Sequence, residues 1–335
     1  MFDVGLPEWL ELMKLLKRLS DGKWYSGEKL GEASGVSRTA IWKKLKKLEA
    51  FGLEVESSRG RGYRLAIPVD LLDKEVIAHE AGFPESNLYL FPQIDSTNQW
   101  LLDQIKTGLN NPVVCMAEYQ SSGRGRRGRT WVSPFGVNLY FSLSYLFKGG
   151  ISSLSGLSLA VGVVVSEVLE SYGYMDIKLK WPNDLFWQDK KLSGVLIEVA
   201  GDLTEHCWVV VGIGLNINMG ACTASSDINQ PWSDLNMLSN HFGVDQPTRN
   251  ELLSQLISAL FVLLENFEKN KFGSYRERWM KRDYFDSLKV EAYEGGKKIT
   301  GSARGVDSHG HLLIESKGVI KSFGGSDVSL RGGSE

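Results

Sequence analysis

A chain of 335 residues with 42% hydrophobic and 23% charged residues has the makings of two or three globular domains, not of a disordered or fibrous chain. Three cysteines (Cys115, Cys207, Cys222) without Cys-x-x-Cys spacing, and only five histidines, argue against a disulfide framework or a zinc site and fit a reducing cytoplasm. The N-terminus shows no basic, apolar leader, and the most apolar stretch, 157–169, is broken by Ser158, Ser166 and Glu167 and is too short for a bilayer span, so no membrane role is expected.

The net charge of −2 is unevenly spread. Residues 1–66 hold 13 Lys/Arg against 9 Asp/Glu, and 37–64 hold 8 against 3. A basic module in front of an acidic body is the footprint of a small nucleic-acid-binding domain. A first helix is predicted over 6–19 from Trp9, Leu12, Met13, Leu16 and Leu19, with Pro7 near its start. Ser26 caps a second through 32, Gly35 turns the chain, and Ser37 caps a third whose core face is Ile41, Leu45 and Leu48. Trp42 falls off that core stripe. Two short strands, 53–57 and 63–66, flank Arg59-Gly60-Arg61-Gly62.

Helix, turn, basic helix and basic hairpin form the winged helix-turn-helix pattern. It would put Ser37, Arg38 and Thr39 at the start of a recognition helix, with Lys43, Lys44, Lys46 and Lys47 able to reach phosphates and Arg59 and Arg61 on the wing. A lysine run can also be a solvated helix face; charge, turn and wing together favour DNA.

A linker over 66–72 leads into a central domain reaching to about residue 283. Predicted strands at 113–118, 139–146, 192–199 and 208–213 alternate with helices at 157–171 and 251–270. This is an α+β body on a largely antiparallel sheet. From 284 to 335 the pattern changes to short strands at 288–293, 302–306, 312–315 and 318–322 between Gly-rich turns, a small barrel of about five strands.

The most distinctive segment runs from Gln120 through Gly123-Arg124-Gly125-Arg126-Arg127-Gly128-Arg129 to Trp131. Glycines let the backbone approach a ligand and the guanidiniums suit a phosphate or carboxylate, although an RNA-binding tail, a linker or a solvated basic loop share this composition. It is not a P-loop, because no Gly-Lys-Ser/Thr follows. Lys180-Trp181-Pro182-Asn183-Asp184 and Lys191-Leu192-Ser193-Gly194 bring lysines to strand ends beside a carboxylate that could meet Mg²⁺, while 212–218 offers small residues where a base could lie on the backbone. No nucleophile–base arrangement or metal-ligand spacing emerges, so an enzyme built this way works by binding and charge neutralisation.

Taken in order, Asp95-Ser96-Thr97-Asn98, the Gly/Arg loop, Lys180–Asp184, Lys191–Gly194 and Gly212–Asn216 resemble biotin protein ligases along essentially the whole chain. With the winged helix in front, the likeness is to the bifunctional members that also repress transcription. The resemblance implies a class II synthetase-like central domain, at 67–283, between the winged helix at 1–66 and an SH3-like barrel at 284–335. It also implies ATP, biotin and Mg²⁺, a biotinoyl-5′-AMP intermediate, and transfer of biotin to a lysine of the biotin carboxyl carrier protein of acetyl-CoA carboxylase. Operator DNA and an adenylate-promoted homodimer, through strands in 192–213 and the 118–131 loop, complete the expected partners. By position, Ser96, Thr97, Asn98, Gln120, Arg124, Gly125 and Arg126 would hold biotin, and Lys191 its carboxylate. Gly123, Arg126, Arg129, Trp131, Asn183 and Asn216 would bind the nucleotide. Lys180 and Arg126 would support the reacting phosphate, and Asp184 would take Mg²⁺. The segment 219–230 would close over the adenylate. Alternatives are a lipoate-type protein ligase, a biotin-sensing repressor without catalysis and, least favoured, a class II aminoacyl-tRNA synthetase.

Overall fold

The computed structural model describes residues 6–34, 37–49, 51–201, 204–221, 228, 230–294, 297–324 and 329–332. Gly35 and Cys222, and most of the expected closing segment 219–230, lie outside them. The first unit is three helices, α1 (Leu6–Leu19), α2 (Gly27–Ser34) and α3 (Arg38–Glu49), followed by a hairpin of β1 (Val55–Ser58) and β2 (Gly62–Leu65). Leu12, Leu15, Leu16, Leu19, Leu30, Ile41, Leu45 and Leu48 bury one another, as helical spacing requires. Ser26 Oγ accepts from Lys29 N and Ser37 Oγ from Ala40 N, so both serines act as caps. Tyr25 exchanges backbone hydrogen bonds with Tyr63, locking the wing to the helices. Gly62, at φ +100°, lies so close to the Tyr25 carbonyl that a Cβ would stand 2.0 Å from its oxygen.

Next come α4 (Lys74–Ala81), β3 (Leu88–Phe91), α5 (Thr97–Lys106), β4 (Val114–Ala117), β5 (Leu139–Phe147), α6 (Leu157–Ser171), β6 (Lys178–Lys180), β7 (Asp184–Trp187), β8 (Lys190–Gly201), β9 (Cys207–Leu215), α7 (Leu235–Phe242), α8 (Arg249–Asn270) and α9 (Gly273–Met280). Their strands form one seven-stranded sheet, β3-β4-β5-β9-β8-β7-β6, in which only β3–β4 is parallel. Helices α6 and α8 cover one face, and α5 packs on the other against β4, β5, β8 and β9. With the turn before it, the apolar run Ile151–Ser171 reaches 21 residues at a hydropathy of 1.7, enough by length and composition to cross a membrane, where the sequence reading judged the stretch too short. The fold uses that apolarity for its core: Leu157, Leu159, Val161, Val163, Val165 and Leu169 of α6 are all buried there.

The linker is pinned, not free. Val69 N donates to Ser20 O and Val69 joins the core of the first unit, while Phe51 meets Tyr119 and Phe135 at ring separations of 6.0 and 5.7 Å. At the centre lies an ion pair between Arg249 and Glu118, at 2.8 Å with side chains 3% and 1% exposed. Glu118 also accepts from Leu72 N, and Arg249 donates to the carbonyls of Asp70 and Asn138.

The last unit is a five-stranded antiparallel sheet of β10 (Lys289–Glu294), β11 (Lys297–Val306), β12 (Leu312–Ser316), β13 (Val319–Phe323) and β14 (Ser329–Gly332), in order β13-β12-β11-β10-β14. It docks on the central domain through Trp181 Nε1, which donates to Gly310 O at 3.1 Å, and Ser155 Oγ, which donates to His309 O at 2.7 Å.

Removing one partner of a buried ion pair strands the other charge. Glu118→Gln should lower unfolding free energy by about 3 kcal/mol, and Glu118→Gln with Arg249→Met should restore much of it. Urea denaturation of the two variants checks this; equal losses would mean that the pair does not carry its charge dry.

Candidate functional site

A cleft of about 310 Å³ opens on the sheet where α5, the Gly/Arg loop, β7, β8 and β9 meet. Its lining includes Ser96, Thr97, Asn98, Gln120, Arg124, Gly125, Arg126, Arg129, Trp131, Lys180, Asn183, Asp184 and Lys191, residues spread over nearly a hundred positions of sequence. A second space of about 440 Å³ shares Arg129, Trp131 and Lys191 with the first and adds Asn216 and Trp232. Gly123 lines neither. It is needed for packing, because a Cβ there would stand 2.4 Å from Trp131 O.

One end of the cleft is polar and closely hydrogen-bonded. Ser96 caps α5 by accepting from Gln99 N, which fixes Thr97 and Asn98 in the first turn. Thr97 donates from both N and Oγ1 to Gln120 Oε1, and Gln120 Nε2 donates to Ser133 Oγ. Ser142 Oγ of β5 lies 2.7 Å from Thr97 Oγ1 and 2.5 Å from Asn98 Oδ1. Asn98 Nδ2 donates to Glu198 Oε2 at 3.0 Å, and the other Glu198 oxygen takes Arg124 at 2.6 Å. Arg124 also reaches Gln99 Oε1, so the Gly/Arg loop is fastened to α5 and β8 by one side chain. The chain of bonds runs unbroken from loop to floor.

The other end is cationic. Lys191 Nζ lies 2.9 Å from Asp184 Oδ1, in an off-axis ion pair, and 5.3 Å from the centre of the Trp131 ring. Arg126 donates to Asn183 Oδ1, whose amide in turn donates to Val195 O. Burial lowers the pKa of Arg126, with neighbouring Arg127 adding to the effect, and burial likewise lowers that of Lys180. Three rings, Phe186, Tyr284 and Phe285, surround the Lys180 ammonium at 4.5, 5.3 and 5.4 Å, an arrangement that favours its charged form, and the nearby Asp184 carboxylate opposes the effect of burial. Tyr284 donates to Asp189, and burial and this bond push its pKa up to about 12. Asp184 is the only carboxylate among the described lining residues, and no cluster of three or more metal-ligating side chains occurs among the described residues.

Glycines of β8 and β9 make the floor flat. A Cβ on Gly212 would stand 2.0 Å from Asn98 Oδ1, and one on Gly214 would stand 2.4 Å from the Trp131 indole. The Trp131 indole lies on this glycine strand, where the sequence allowed a nucleotide base to approach, and its buried Nε1 has no hydrogen-bond partner among the described residues.

Sequence reasoning missed Glu198, Trp232 and the aromatic box around Lys180. Glu198 and Trp232 sit in no motif, and Tyr284 and Phe285 reach Lys180 from more than a hundred residues away. On the first unit, Thr39, Lys43, Lys46, Arg59 and Arg61 are exposed, as a DNA-facing surface requires. Lys44 departs from expectation: only 16% exposed, it bonds Glu11 of α1 at 3.1 Å, because its position beside Leu45 turns it toward the helical core. The side chain of Arg38 lies outside the described residues.

Comparison with known proteins agrees with this geometry. Residues 11–64 match the helix-turn-helix (HTH) domain family, 90–216 the biotin/lipoate A/B protein ligase family, and 289–331 the biotin protein ligase C-terminal domain. The chain is 41% identical over 320 residues to the bifunctional ligase/repressor BirA of Escherichia coli, covering 95% of this chain and 97% of that one. Its counterpart in Bacillus subtilis is 25% identical over 322 residues, covering 96% and 98%. Among solved structures, the biotin protein ligase of Aquifex aeolicus in complex with biotin and ATP aligns with a TM-score of 0.62 at 31% identity, over 74% of this chain and 99% of that one. The chain therefore belongs to the biotin protein ligase family, in the form that carries a DNA-binding helix-turn-helix domain ahead of the ligase domain.

Proposed function

We propose that the cleft joins biotin to ATP as biotinoyl-5′-AMP and then passes biotin to a lysine of the biotin carboxyl carrier protein of acetyl-CoA carboxylase. The observation that carries this reading is one cleft with a polar, hydrogen-bonding end and a cationic end holding a single described carboxylate. Biotin has the same two ends, a ureido ring and a carboxylate. Ser96 uses an acceptor lone pair for its cap and keeps its proton to donate to the ureido oxygen. Thr97, Asn98, Gln120 and the backbone at Arg124 and Gly125 complete that contact.

Lys191 exchanges Asp184 for the biotin carboxylate and so offsets its repulsion by the α-phosphate. The carboxylate oxygen attacks the α-phosphorus and pyrophosphate leaves. Arg126 and Lys180, already partly desolvated and held by their neighbours, meet the charge that develops with little reorganisation, and the exposed Arg129 adds its charge from the loop. Asn183 aims Arg126. Trp131, Trp232 and Asn216 around the second space take the adenine by stacking and by one polar edge. The carrier lysine then attacks the acyl carbon and AMP leaves. Asp184, paired to Lys191, does not by itself make a dication site from protein groups; Mg²⁺ bound to the ATP phosphates would neutralise their charge, and Asp184 is the one lining carboxylate that would contact it. The thiols of Cys115 and Cys207 are free, which suits the cytoplasm.

The repressor half rests on the basic first unit and on β8. Strand β7 pairs with β8 only as far as Gly194, so from 197 to 201 β8 presents an unpaired edge among the described residues. A second copy can pair there, forming the homodimer that a two-fold operator needs. Glu198 stands on this edge strand and holds Arg124, so ordering the Gly/Arg loop over an adenylate bears directly on the edge.

Purified protein with MgATP should load labelled biotin, and not lipoate, onto a carboxyl carrier domain; preference for lipoate would move the chain to the lipoate branch, and tight biotin binding without transfer would leave a sensor-repressor. Lys191→Ala should slow adenylate formation by roughly 10² or more, read by pyrophosphate release; near-normal turnover would remove Lys191 from the site. Sedimentation should show the monomer–dimer balance moving toward dimer when biotinoyl-5′-AMP is added. Deleting residues 1–66 should abolish DNA binding, and transfer kinetics measured on the same variant show whether Phe51 packing on Tyr119 and Phe135 also supports the loop.

A further inference from the structure

Helix α3 has two faces of opposite character. Ile41, Leu45 and Leu48 are buried, whereas Thr39, Trp42, Lys43 and Lys46 are exposed at spacings of three, four and seven residues, one continuous stripe. Trp42 is 51% exposed and belongs to no hydrophobic cluster. A single exposed aromatic is ordinary on a protein surface. Here its neighbours give it meaning. No acidic residue occurs between 37 and 48, Lys43 and Lys46 flank it, and the Lys46 ammonium, ion-paired at 2.9 Å with Glu49 at the end of the helix, lies 5.9 Å from its ring centre. Across the module Arg61 and Arg64 stack on Trp24, at 4.6 and 4.9 Å, which holds the wing as a second basic surface.

We infer that Trp42 is a base-reading residue, entering the major groove of duplex DNA and making apolar contact with the C5-methyl group of a thymine. The inference rests on the DNA-binding reading of the first unit. A major groove about 12 Å wide admits one helix, and the residues at its centre must be those on the helix's outward stripe. Lysines on that stripe meet phosphates and confer affinity without sequence preference. An indole has little to offer a phosphate beyond one N–H, but its apolar face matches the thymine methyl, the only apolar group the major groove displays. Trp42 therefore supplies preference and Lys43 supplies attraction, with Lys46 able to add to it by exchanging Glu49 for a phosphate. The same face bound to an acidic protein would use the lysines equally, and the test separates the two.

The full-length protein, with biotin and MgATP, is used to select from a random duplex DNA library, and the selected site is then titrated against salt. Wild type should select a two-fold site with thymine at one symmetry-related position. Trp42→Ala should bind that site about tenfold more weakly, lose the thymine preference and keep the salt dependence. Lys43→Ala should keep the preference and lower the salt slope by about 2, one phosphate contact for each of the two protomers on the site. Replacing the selected thymines by deoxyuridine, which lacks the methyl group, should reproduce the Trp42→Ala loss with wild-type protein, independently of how the variant folds. Biotin transfer should be unchanged throughout. Retention of the same site at equal affinity by Trp42→Ala, or indifference to deoxyuridine, overturns the inference while leaving DNA binding intact. Selection of no sequence by wild type overturns the DNA-binding reading itself.

Discussion

The ion pair between Arg249 and Glu118 is the point on which the rest of the molecule turns. Two opposite charges at 2.8 Å in a dry interior are expensive unless every remaining hydrogen-bonding group is met, and here the surrounding groups are three backbone carbonyls or amides and each other. Those backbone partners belong to the linker at 70–72 and to the entry of β5, and Arg249 itself opens α8. Glu118 directly follows β4, two residues before Gln120. One pair thus sets where the DNA-binding unit leaves the ligase and where the Gly/Arg loop begins.

From there the cleft follows by exclusion of bulk. Gly212 and Gly214 leave room for Asn98 and the Trp131 indole, and Gly123 leaves room for the turn that brings Trp131 back over the sheet. The cations that line the cleft are held by neutral partners as much as by charges: Arg126 by Asn183, Lys180 by three aromatic rings, Lys191 by Asp184 together with Trp131. Such a site carries surplus positive charge away from water, which favours polyanionic reactants and accounts for chemistry without a protein nucleophile.

The three units are joined through the parts that do chemistry. Trp181, inside the Lys180–Asp184 motif, donates to Gly310 of the last sheet, and Tyr284 and Phe285 at the start of that unit close the box around Lys180. Glu198 joins the loop, the polar floor and the unpaired edge of β8 in the same manner. One carboxylate therefore connects the cleft to the strand edge.

The sequence alone determined the elements whose signal is local. Helical spacing of leucines placed α1 and α3, caps at Ser26 and Ser37 placed their neighbours, and the cluster of Gly and Arg between strands marked the loop, because these depend on residues within a few positions of each other. It also carried the order of motifs that identifies the family. Tertiary structure decided everything that depends on distance in space: that Glu198 and Trp232 belong to the site, that Lys44 faces Glu11 and not solvent, and that an apolar stretch with the composition of a membrane helix is the core of a sheet domain. It also decided that Trp42 stands exposed beside lysines. Periodicity could place Trp42 off the core stripe, but only the packed helices show that nothing else in the described chain covers it.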